Sequence, residues 1–489
     1  MNNLLILLDD MNCWKPYLES SKVCLVSDYL KNRSLAKEKK LVLNLSDNYG
    51  YNTEGYYCSL LAQTRRHKVI PSVEVINKIE SDAGMRLNQK MREIFLAWLA
   101  TNPVTTDQYE LKIYFGKCRE KGLERIANYI FEHYPAPLLK VTLNMPPHVQ
   151  IDDVRFMSIR ELNGEEEDFF AYSLESFNTK VWTSSRSSKS KRYSLAILYD
   201  PNEKFPPSNK KALTKLMKLA YKMDIHAELI TEDDSNRLME FDALFIRTTT
   251  SLNHYTFRFS QIAEQYDIAV IDDPTSIIRC TNKVYLNELF AKEKISAPES
   301  LLLFKSGLAP FEEVKEKLGV PFILKIPDGS FSMDMKKIAT EEDMKKCTDE
   351  LFEKSEILLA QEFIPTEYDW RIGLLNGEPL FACKYYMAKG HWQIYHHCVS
   401  GRSISGLTET LPIYQVPRKI LDMAQKAAGL IGKGLYGVDL KMKNDKIYVI
   451  EINDNPSIDY GIEDAVLGDE LYYRLLTHFG HLLDLNRFL

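Results

Sequence analysis

Two polar side chains near the C-terminal end of the sequence have the types and spacing of ligands for a hard metal ion. Glu451 and Asn453 lie two residues apart in an apolar run that is typical of a β-strand. Side chains alternate across a strand, so Glu451 and Asn453 are predicted to share one face with Val449. Ile450 and Ile452 are expected on the opposite face, which can be buried.

A third oxygen ligand is predicted on the preceding strand. Asp439 lies in residues 435–441, which also have the pattern of a strand. If the intervening loop is odd-numbered and centred on Asp445, Asp439 pairs directly with Glu451. Converging carboxylate and carboxamide oxygens suit Mg²⁺ bound to a nucleotide. A surface hairpin with scattered polar residues is the alternative, although the polar run 453–456 ends the strand where a site would open.

Two lysines have the setting of phosphate ligands. Lys325 ends a predicted strand and precedes a loop of small residues that includes Gly329, Ser330 and Ser332. Such a loop can direct backbone N–H groups at phosphates while the ammonium offsets charge. A plain hairpin fits the same residues. Lys283 falls in the first turn of a predicted helix, where a cation opposes the helix dipole unless an anion binds there. A solvated surface lysine is its alternative.

Further residues could complete a nucleotide site. Gln361, Glu362 and Phe363 end a strand before a proline, where backbone groups could pair with an adenine edge and the phenyl ring could pack on it. Asp369 and Arg371 flank Trp370 with the same orientation on an extended chain. Asp369 could accept hydrogen bonds from ribose hydroxyls. Arg371 could bind a carboxylate or a transferring phosphoryl group.

Composition restricts the class of protein. The 489 residues should form two to four domains, and 45% apolar with 27% charged residues is ordinary for a globular protein. A net charge of -6 does not favour binding to nucleic acid or to an anionic membrane. No run is long enough to cross a bilayer, and Leu4–Leu8 is too short for a signal-peptide core. The eight cysteines include no Cys-x-x-Cys, so a reducing cytoplasm is expected.

The chain alternates predicted strands and helices, which indicates an α/β protein. Residues 1–182 are predicted to form an N-terminal α/β domain, and the polar, basic run 183–192 is predicted to be a linker rather than a nucleic-acid-binding tract. A second α/β domain is expected over residues 193–280. From residue 281 to 489 the pattern changes to α+β, with a smaller subdomain at about 295–365.

The order of these motifs resembles the ATP-grasp superfamily, and within it the RimK-like carboxylate–amine ligases. The resemblance covers residues 195–489 and is most specific at Glu451-Ile452-Asn453. It implies a pre-ATP-grasp domain followed by an ATP-grasp fold that holds ATP between two α+β subdomains. The first domain, with runs at 42–49 and 55–62, looks like the N-terminal domain attached to one RimK-like subgroup.

The resemblance implies roles for individual residues. They are Asp439, Glu451 and Asn453 as ligands of Mg²⁺ or Mn²⁺; Lys283 and Lys325 as phosphate contacts, with the 329–332 loop closing over ATP; Gln361, Glu362 and Phe363 at the adenine; and Asp369 at the ribose. Arg371 is predicted to stabilise an acyl phosphate, with Lys384 as a second catalytic cation. Where the family has Arg-Ser-Asn near the acceptor site, this chain has Gln-Ile-Tyr at residues 393–395. Gln393 is included among the predicted binding residues. The ending 453–457 also departs from the usual Asn-x-Ser-Pro-Gly.

The implied activity is ATP-dependent joining of a carboxylate to an amine, such as an amino acid, peptide or protein, through an acyl phosphate. The sequence leaves open whether the chain forms homo-oligomers. One alternative is an ATP-binding scaffold without turnover, against which the intact ligand set argues. Another is a carboxylase half or phosphotransferase, and no biotinyl-lysine motif supports a carboxylase. His396 and His397 are adjacent on a predicted strand and therefore unsuited to share a metal ion. Four tyrosines of the first domain are expected to pack there rather than to line a pocket: Tyr49, Tyr51, Tyr56 and Tyr57.

Overall fold

The computed structural model describes residues 4–15, 23–32, 35, 40–81, 87, 89–146, 149–186, 191–328, 335–397 and 403–488. The chain divides into two compact units. One comprises Met1–Ser190 with Asp233–Glu240, and the other comprises Lys191–Glu232 with Phe241–Leu489.

The first unit begins with a parallel sheet that has the strand order β2-β1-β3-β4. Its elements are β1 (Leu4–Leu8), β2 (Val23–Leu25), α1 (Val26–Lys31), β3 (Leu41–Asn44), α2 (Glu54–Thr64), β4 (Lys68–Ile70) and α3 (Val73–Glu80). The strands β1 and β3 are buried along their whole length, as expected for apolar strands covered on both faces. Tyr49 and Tyr56 are buried in a small apolar cluster, which confirms the packing prediction for these two residues. Tyr51 and Tyr57 are 76% and 42% exposed, so they do not pack in the core as predicted.

An antiparallel sheet of order β5-β6-β7 completes the first unit. Its elements are α4 (Gln89–Thr101), β5 (Gln108–Tyr114), α5 (Glu124–His133), β6 (Leu138–Asn144), β7 (Ile151–Phe156) and α6 (Gly164–Arg186). The helix α6 continues through residues 183–186, so the prediction that the linker begins at 183 was wrong. That stretch contains no Gly or Pro, the residues that end helices most effectively.

The second unit begins with a parallel sheet of order β11-β10-β8-β9. Its elements are β8 (Tyr193–Leu198), α7 (Lys210–Lys222), β9 (Ile225–Ile230), β10 (Ala243–Ile246), α8 (Tyr255–Gln265), β11 (Ala269–Ile271) and α9 (Pro274–Thr281). Each strand lies within two residues, at each end, of one of the apolar runs 195–199, 227–230, 243–247 and 268–271, from which it is predicted. The apolar face of α7 packs into the same core as this sheet.

Two antiparallel sheets form the rest of the second unit. The smaller has the order β12-β15-β13-β14 and is covered by two helices on a separate apolar core. The elements of this region are α10 (Lys283–Lys292), β12 (Ser300–Phe304), α11 (Phe311–Leu318), β13 (Phe322–Lys325), β14 (Met335–Ile338), α12 (Glu341–Leu351) and β15 (Ile357–Glu362).

The larger sheet has the order β20-β17-β16-β21-β22 and packs on α13. The elements of this region are β16 (Tyr368–Leu375), β17 (Glu378–Tyr386), β18 (Tyr395–His397), β19 (Ser403–Ser405), β20 (Thr408–Leu411), α13 (Arg418–Gly429), β21 (Leu435–Lys443), β22 (Lys446–Asn453) and α14 (Asp469–Phe488). The strands β18 and β19 form a separate hairpin. Among the described residues, none of the helices has the length and apolar character needed to span a membrane.

A close approach within the larger sheet predicts a steric limit on stability. A Cβ on Gly373 would lie 2.3 Å from Cε1 of Phe381 on the paired strand β17. Gly373→Ala is therefore expected to destabilise the protein by about 1–3 kcal/mol, the usual cost of overpacking. The measurement is the urea midpoint followed by circular dichroism. Gly480→Ala is the matched control, because a Cβ there meets no atom within 4 Å and alanine favours a helix. A Gly373→Ala midpoint equal to that of the control would contradict the packing.

Candidate active site

A cavity of about 310 Å³ lies in the second unit, which is within the range of roughly 300–1,000 Å³ that is common for ligand pockets. It is lined by residues from α10, both antiparallel sheets and two loops. The predicted site residues that line it are Lys283, Lys325, Gln361, Glu362, Phe363, Asp369, Arg371, Gln393, Asp439, Glu451 and Asn453. Gly329, Ser330 and Ser332 lie outside the described residues.

The pairing of Asp439 with Glu451 is confirmed, but a bulge produces it. The turn is a two-residue turn at Asn444 and Asp445, both with positive φ, rather than an odd-numbered loop. The register then shifts by one residue between Asp439 and Leu440, which leaves Ile450 as the extra residue opposite Asp439. Without that bulge Glu451 would not face Asp439.

The bulge also corrects the predicted faces of strand β22. Val449 is fully buried in the apolar core together with Ile452, so it does not share a face with Glu451. Ile450 lines the cavity beside Glu451 and Asn453. Two successive side chains on the same side are characteristic of a bulge, which breaks the alternation on which the prediction relied.

Arg371 and Asp439 form a bidentate ion pair across β16 and β21. The Arg371 Nε donates to Asp439 Oδ1 at 2.7 Å, and Nη2 donates to Oδ2 at 2.6 Å. Asn453 Nδ2 also donates to Asp439 Oδ2, at 3.3 Å. Asp369 and Arg371 both line the cavity while Trp370 is buried in the core, so the predicted common orientation of the two charged residues is correct.

The two carboxyl groups have opposite pKa shifts. Burial raises the pKa of Asp439 to about 6, although Arg371 opposes the shift. Burial also disfavours ionisation of Glu451, but Lys283, Lys325 and Arg371 outweigh it and hold the Glu451 pKa below its usual value. Because the groups are close, the proton balance belongs to the pair, and additional positive charge would favour ionisation of both.

Lys325 is a buried interior lysine on the central strand β13. Its side chain is only 3% exposed, and Nζ donates to Gln361 Oε1 at 2.9 Å. Gln361 Nε2 in turn donates to Ser300 Oγ at 3.1 Å. Burial, with the charge of Lys283, lowers the Lys325 pKa to about 8. Gln361 therefore orients the lysine within the cavity.

Lys283 is the first residue of α10, as predicted. Asn282 is the N-cap, and its side chain accepts hydrogen bonds from the backbone N–H groups of Val284 and Tyr285. The backbone N–H of Lys283 donates to Pro327 O at 2.9 Å, which joins this helix end to the segment after β13. An anion at this end would meet both the lysine and the helix dipole.

The donor set of Asp439, Glu451 and Asn453 fits a hard divalent cation. Two carboxylates and a carboxamide provide oxygen ligands, and Mg²⁺ is usually held by one or two carboxylates together with phosphate and water. Two acidic side chains placed side by side in a cavity are stabilised by a shared cation. Among the described residues, no group of three or more His, Cys, Asp or Glu side chains is arranged to hold a metal ion. The set of Asp439, Glu451 and Asn453 is not such a group, because its third member is an asparagine.

The predicted adenine and acceptor residues also line the cavity. The Phe363 ring packs edge-on against Trp392, with ring centroids 5.9 Å apart, and Lys337 Nζ lies 4.1 Å from its centroid. The backbone N–H of Glu362 donates to Glu299 O at 2.8 Å. Gln393 also lines the cavity. These side chains suit a flat aromatic ligand. Their roles in binding adenine and the acceptor remain predictions.

Lys441 is a cavity cation that the sequence analysis did not include. Its Nζ forms an ion pair with Asp369 and donates to Thr366 Oγ1 at 2.9 Å. Lys441 lies two residues after Asp439 on β21, so strand alternation alone would have placed it on the same face. Burial raises the Asp369 pKa, and the Lys441 ammonium opposes that shift.

Lys384 does not line the cavity. On β17 it lies opposite Trp370, whereas Arg371 lies opposite Cys383, so the two cations are on opposite faces of the sheet. Lys384 Nζ donates to Glu409 Oε2 at 3.2 Å. The structure therefore does not support the predicted catalytic position of Lys384, because strand alternation directs its side chain away from Arg371.

Two loops complete the cavity, one after β10 and one after β22. Their lining residues are Thr249, Thr250, Ser251, Asp454, Asn455, Pro456 and Ser457. Arg247, only 1% exposed, donates to Asn455 Oδ1 at 2.6 Å and to Pro456 O at 2.8 Å. The sequence analysis assigned no role to Arg247, since a charged residue at a strand end usually faces solvent. Residues 395–397 form the predicted strand β18.

Comparison with known proteins places the chain in a family. A model of the RimK-like ATP-grasp N-terminal domain matches residues 26–173, and a model of the RimK-like ATP-grasp domain matches residues 280–466. Among solved structures, D-alanine–D-alanine ligase from Bacillus anthracis aligns over 60% of this chain and 99% of its own, with a TM-score of 0.48 and 14% identity. That similarity is too low to support an argument about function.

Two groups of relatives in sequence are ligases by name. The alpha-aminoadipate–LysW ligase LysX of Sulfolobus acidocaldarius is 25% identical over 45% of this chain and 76% of its own. A probable alpha-L-glutamate ligase 1 of a Shewanella species is 24% identical over 47% of this chain and 74% of its own. The two matched family models together span about two thirds of the sequence. The chain therefore belongs to the RimK-like ATP-grasp family.

Proposed function

We propose that the chain is an ADP-forming ligase that uses ATP and Mg²⁺ to join a carboxylate to an amine through an acyl phosphate. The observation that carries this proposal is the convergence of the metal-type ligands Asp439 and Glu451 with Lys283, Lys325 and Arg371 in one cavity. Family membership supports the same reaction class. An ATP-binding scaffold without turnover is not favoured, since the described ligand set is intact.

Each group has a distinct task in the proposed reaction. Asp439, Glu451 and Asn453 would hold Mg²⁺, which when bound offsets charge on phosphate oxygens. Lys283 and Lys325, which also interact with Glu451, bind and orient the phosphates. Arg371 offers its guanidinium to the carboxylate substrate, a planar partner that suits bidentate binding. Asp369, held by Lys441, accepts hydrogen bonds from the ribose.

The proposed reaction balances in two steps. A carboxylate oxygen attacks the γ-phosphorus of ATP, the bond to the β-phosphate oxygen breaks, and ADP leaves. The amine nitrogen then attacks the acyl carbon, the carbon–oxygen bond to phosphate breaks, and phosphate leaves with the former carboxylate oxygen. The nitrogen loses a proton to give the amide. Exclusion of water from the cavity protects the acyl phosphate from hydrolysis.

An amino acid is proposed as the amine or the carboxylate partner. The names of the relatives refer to alpha-aminoadipate and to glutamate, which are both amino acids. Gln393 stands where the family pattern has an arginine, so a cation that could select an acidic side chain is not provided at that position. The acceptor is therefore proposed by class only, as a small molecule, peptide or protein.

The test is ADP release from the purified protein with ATP and Mg²⁺ against pairs of carboxylates and amines. The panel includes amino acids, acidic peptides and candidate carrier proteins. The proposal predicts ADP formation that requires both partners and a product lighter than their sum by one water, measured by mass spectrometry. ADP release that requires neither partner, or only one of them, would contradict a ligase.

Glu451→Gln is expected to lower turnover by on the order of a hundredfold or more, because a neutral amide holds a divalent cation weakly. The fold should be retained, as judged by the thermal unfolding midpoint, since the two side chains have the same shape. Glu409→Gln is the matched control on the same sheet, because Glu409 pairs with Lys384 outside the cavity. Near-normal turnover of Glu451→Gln would rule out its role as a metal ligand.

Lys325 predicts a pH dependence of nucleotide affinity. Burial lowers its pKa to about 8, so the ammonium is present below that pH and is lost as the pH rises through it. Phosphates bind the charged form, and ATP affinity measured by calorimetry should therefore fall from pH 7 to 9. Lys325→Ala should bind ATP weakly at each pH. The arginine of Lys325→Arg stays charged from pH 7 to 9, so the ATP affinity of this variant should lose the pH dependence that Lys325 causes. A wild-type affinity that does not change with pH would contradict the assignment.

A further inference from the structure

The loops after β10 and β22 form a fixed part of the cavity. Asn455 Nδ2 donates to Thr248 O at 2.7 Å, which joins the two loops directly. The buried Arg247 guanidinium binds Asn455 Oδ1 and Pro456 O on one loop, and Nε donates to Ser208 Oγ at 3.0 Å. Because these contacts are buried, the side chains that the loops direct into the cavity are held in place before a ligand arrives.

Asp454 is the residue with a carboxyl group that these loops contribute to the cavity. It is only 4% exposed and lines the cavity, and its side chain interacts with Thr250. Within the described part of the chain, Asp454 Oδ2 has no hydrogen-bond partner. A buried carboxylate oxygen without a partner is costly, which is the expected property of a group that a ligand completes.

The charge of the surroundings selects the ligand. The cations that line the described cavity come from other elements, namely Lys283, Lys325, Arg371 and Lys441. The two loops contribute hydroxyls, amides and the Asp454 carboxyl. Such a site favours a donor with positive charge and disfavours an anion.

The place of Asp454 in the chain connects it to the reaction. It directly follows Asn453, so the two Cα atoms are about 3.8 Å apart. Both residues line the same cavity, so a ligand at Asp454 shares that cavity with the position where the proposed function transfers phosphate. An ammonium group bound there would hold the nitrogen near the acyl carbon, and it would release one proton to solvent before the free amine attacks.

We infer that Asp454, with the hydroxyls of Thr250 and its loop, binds the ammonium group of the amine substrate and orients it toward the acyl phosphate. This inference rests on the proposed function, because the amine matters only to a ligase that joins it to a carboxylate. Asp454 is a specificity-determining residue for a primary amine, whereas Arg371 belongs to the carboxylate partner.

The test uses propylammonium chloride as the probe and saturation-transfer NMR on the full chain with ADP and Mg²⁺. Wild type is expected to bind the probe, and Asp454→Asn should weaken binding at least about tenfold, which corresponds to about 1.4 kcal/mol. Thr250→Val is a second variant and should also weaken binding. Asp459→Asn is the matched control. Asp459 accepts from Asn209 N at 2.7 Å, a bond that asparagine can keep, and is not among the residues described as lining the cavity. ADP affinity reports whether each variant is folded.

The outcomes separate the inference from the proposed function. Equal probe binding by wild type and Asp454→Asn, or no binding by wild type, would overturn the inference. If Asp454→Asn fails to bind ADP, the Thr250→Val variant decides by the same criterion. Trapping of an acyl phosphate by hydroxylamine in wild type tests the proposed function separately. Absence of hydroxamate with a carboxylate panel would count against the ligase even if probe binding depends on Asp454.

Discussion

The site depends on compensation between opposite charges in a cavity from which most water is excluded. Asp439 is buried and Glu451 is partly buried, and the cost of ionising them is offset by Arg371, Lys283 and Lys325. Those cations come from the larger sheet, from α10 and from the smaller sheet. Removal of one charge leaves the opposite charges less well compensated and shifts their pKa values. All three elements are therefore required for the same electrostatic balance.

The same balance suits the proposed chemistry. A nucleotide brings negative charge to the lysines, and a divalent cation brings positive charge to the carboxylates, so the cation offsets part of the charge that the nucleotide adds to the cavity. Arg371 binds Asp439 with both sides of its guanidinium fork. If the carboxylates gained a metal ion, that fork would be available to a substrate carboxylate. Arg247 has a different role, because its hydrogen bonds to Ser208, Asn455 and Pro456 fix the loops that carry Asp454. None of these bonds reaches the three candidate metal ligands.

Much of this arrangement could be predicted from local patterns. Apolar runs located the four strands of the parallel sheet in the second unit to within two residues, and the types and spacing of Asp439, Glu451 and Asn453 indicated a common site. The two-residue turn and the bulge at Ile450 could not be predicted, because the two deviations compensate in the register and only the pairing as a whole reveals them. Lys384 was misplaced although alternation along β17 could have excluded it. Arg247 and Asp454 were missed, since burial of a charged residue depends on contacts between distant segments.

The most direct test of the acyl phosphate is the fate of a carboxylate oxygen. The carboxylate substrate that supports ADP formation would be labelled with ¹⁸O in both oxygens and turned over with its amine partner, and the released phosphate would be analysed by ³¹P NMR. The account predicts one ¹⁸O in each phosphate, because the carbon–oxygen bond breaks when the amine attacks the acyl carbon. Phosphate without the label, formed together with the amide, would contradict the acyl-phosphate route.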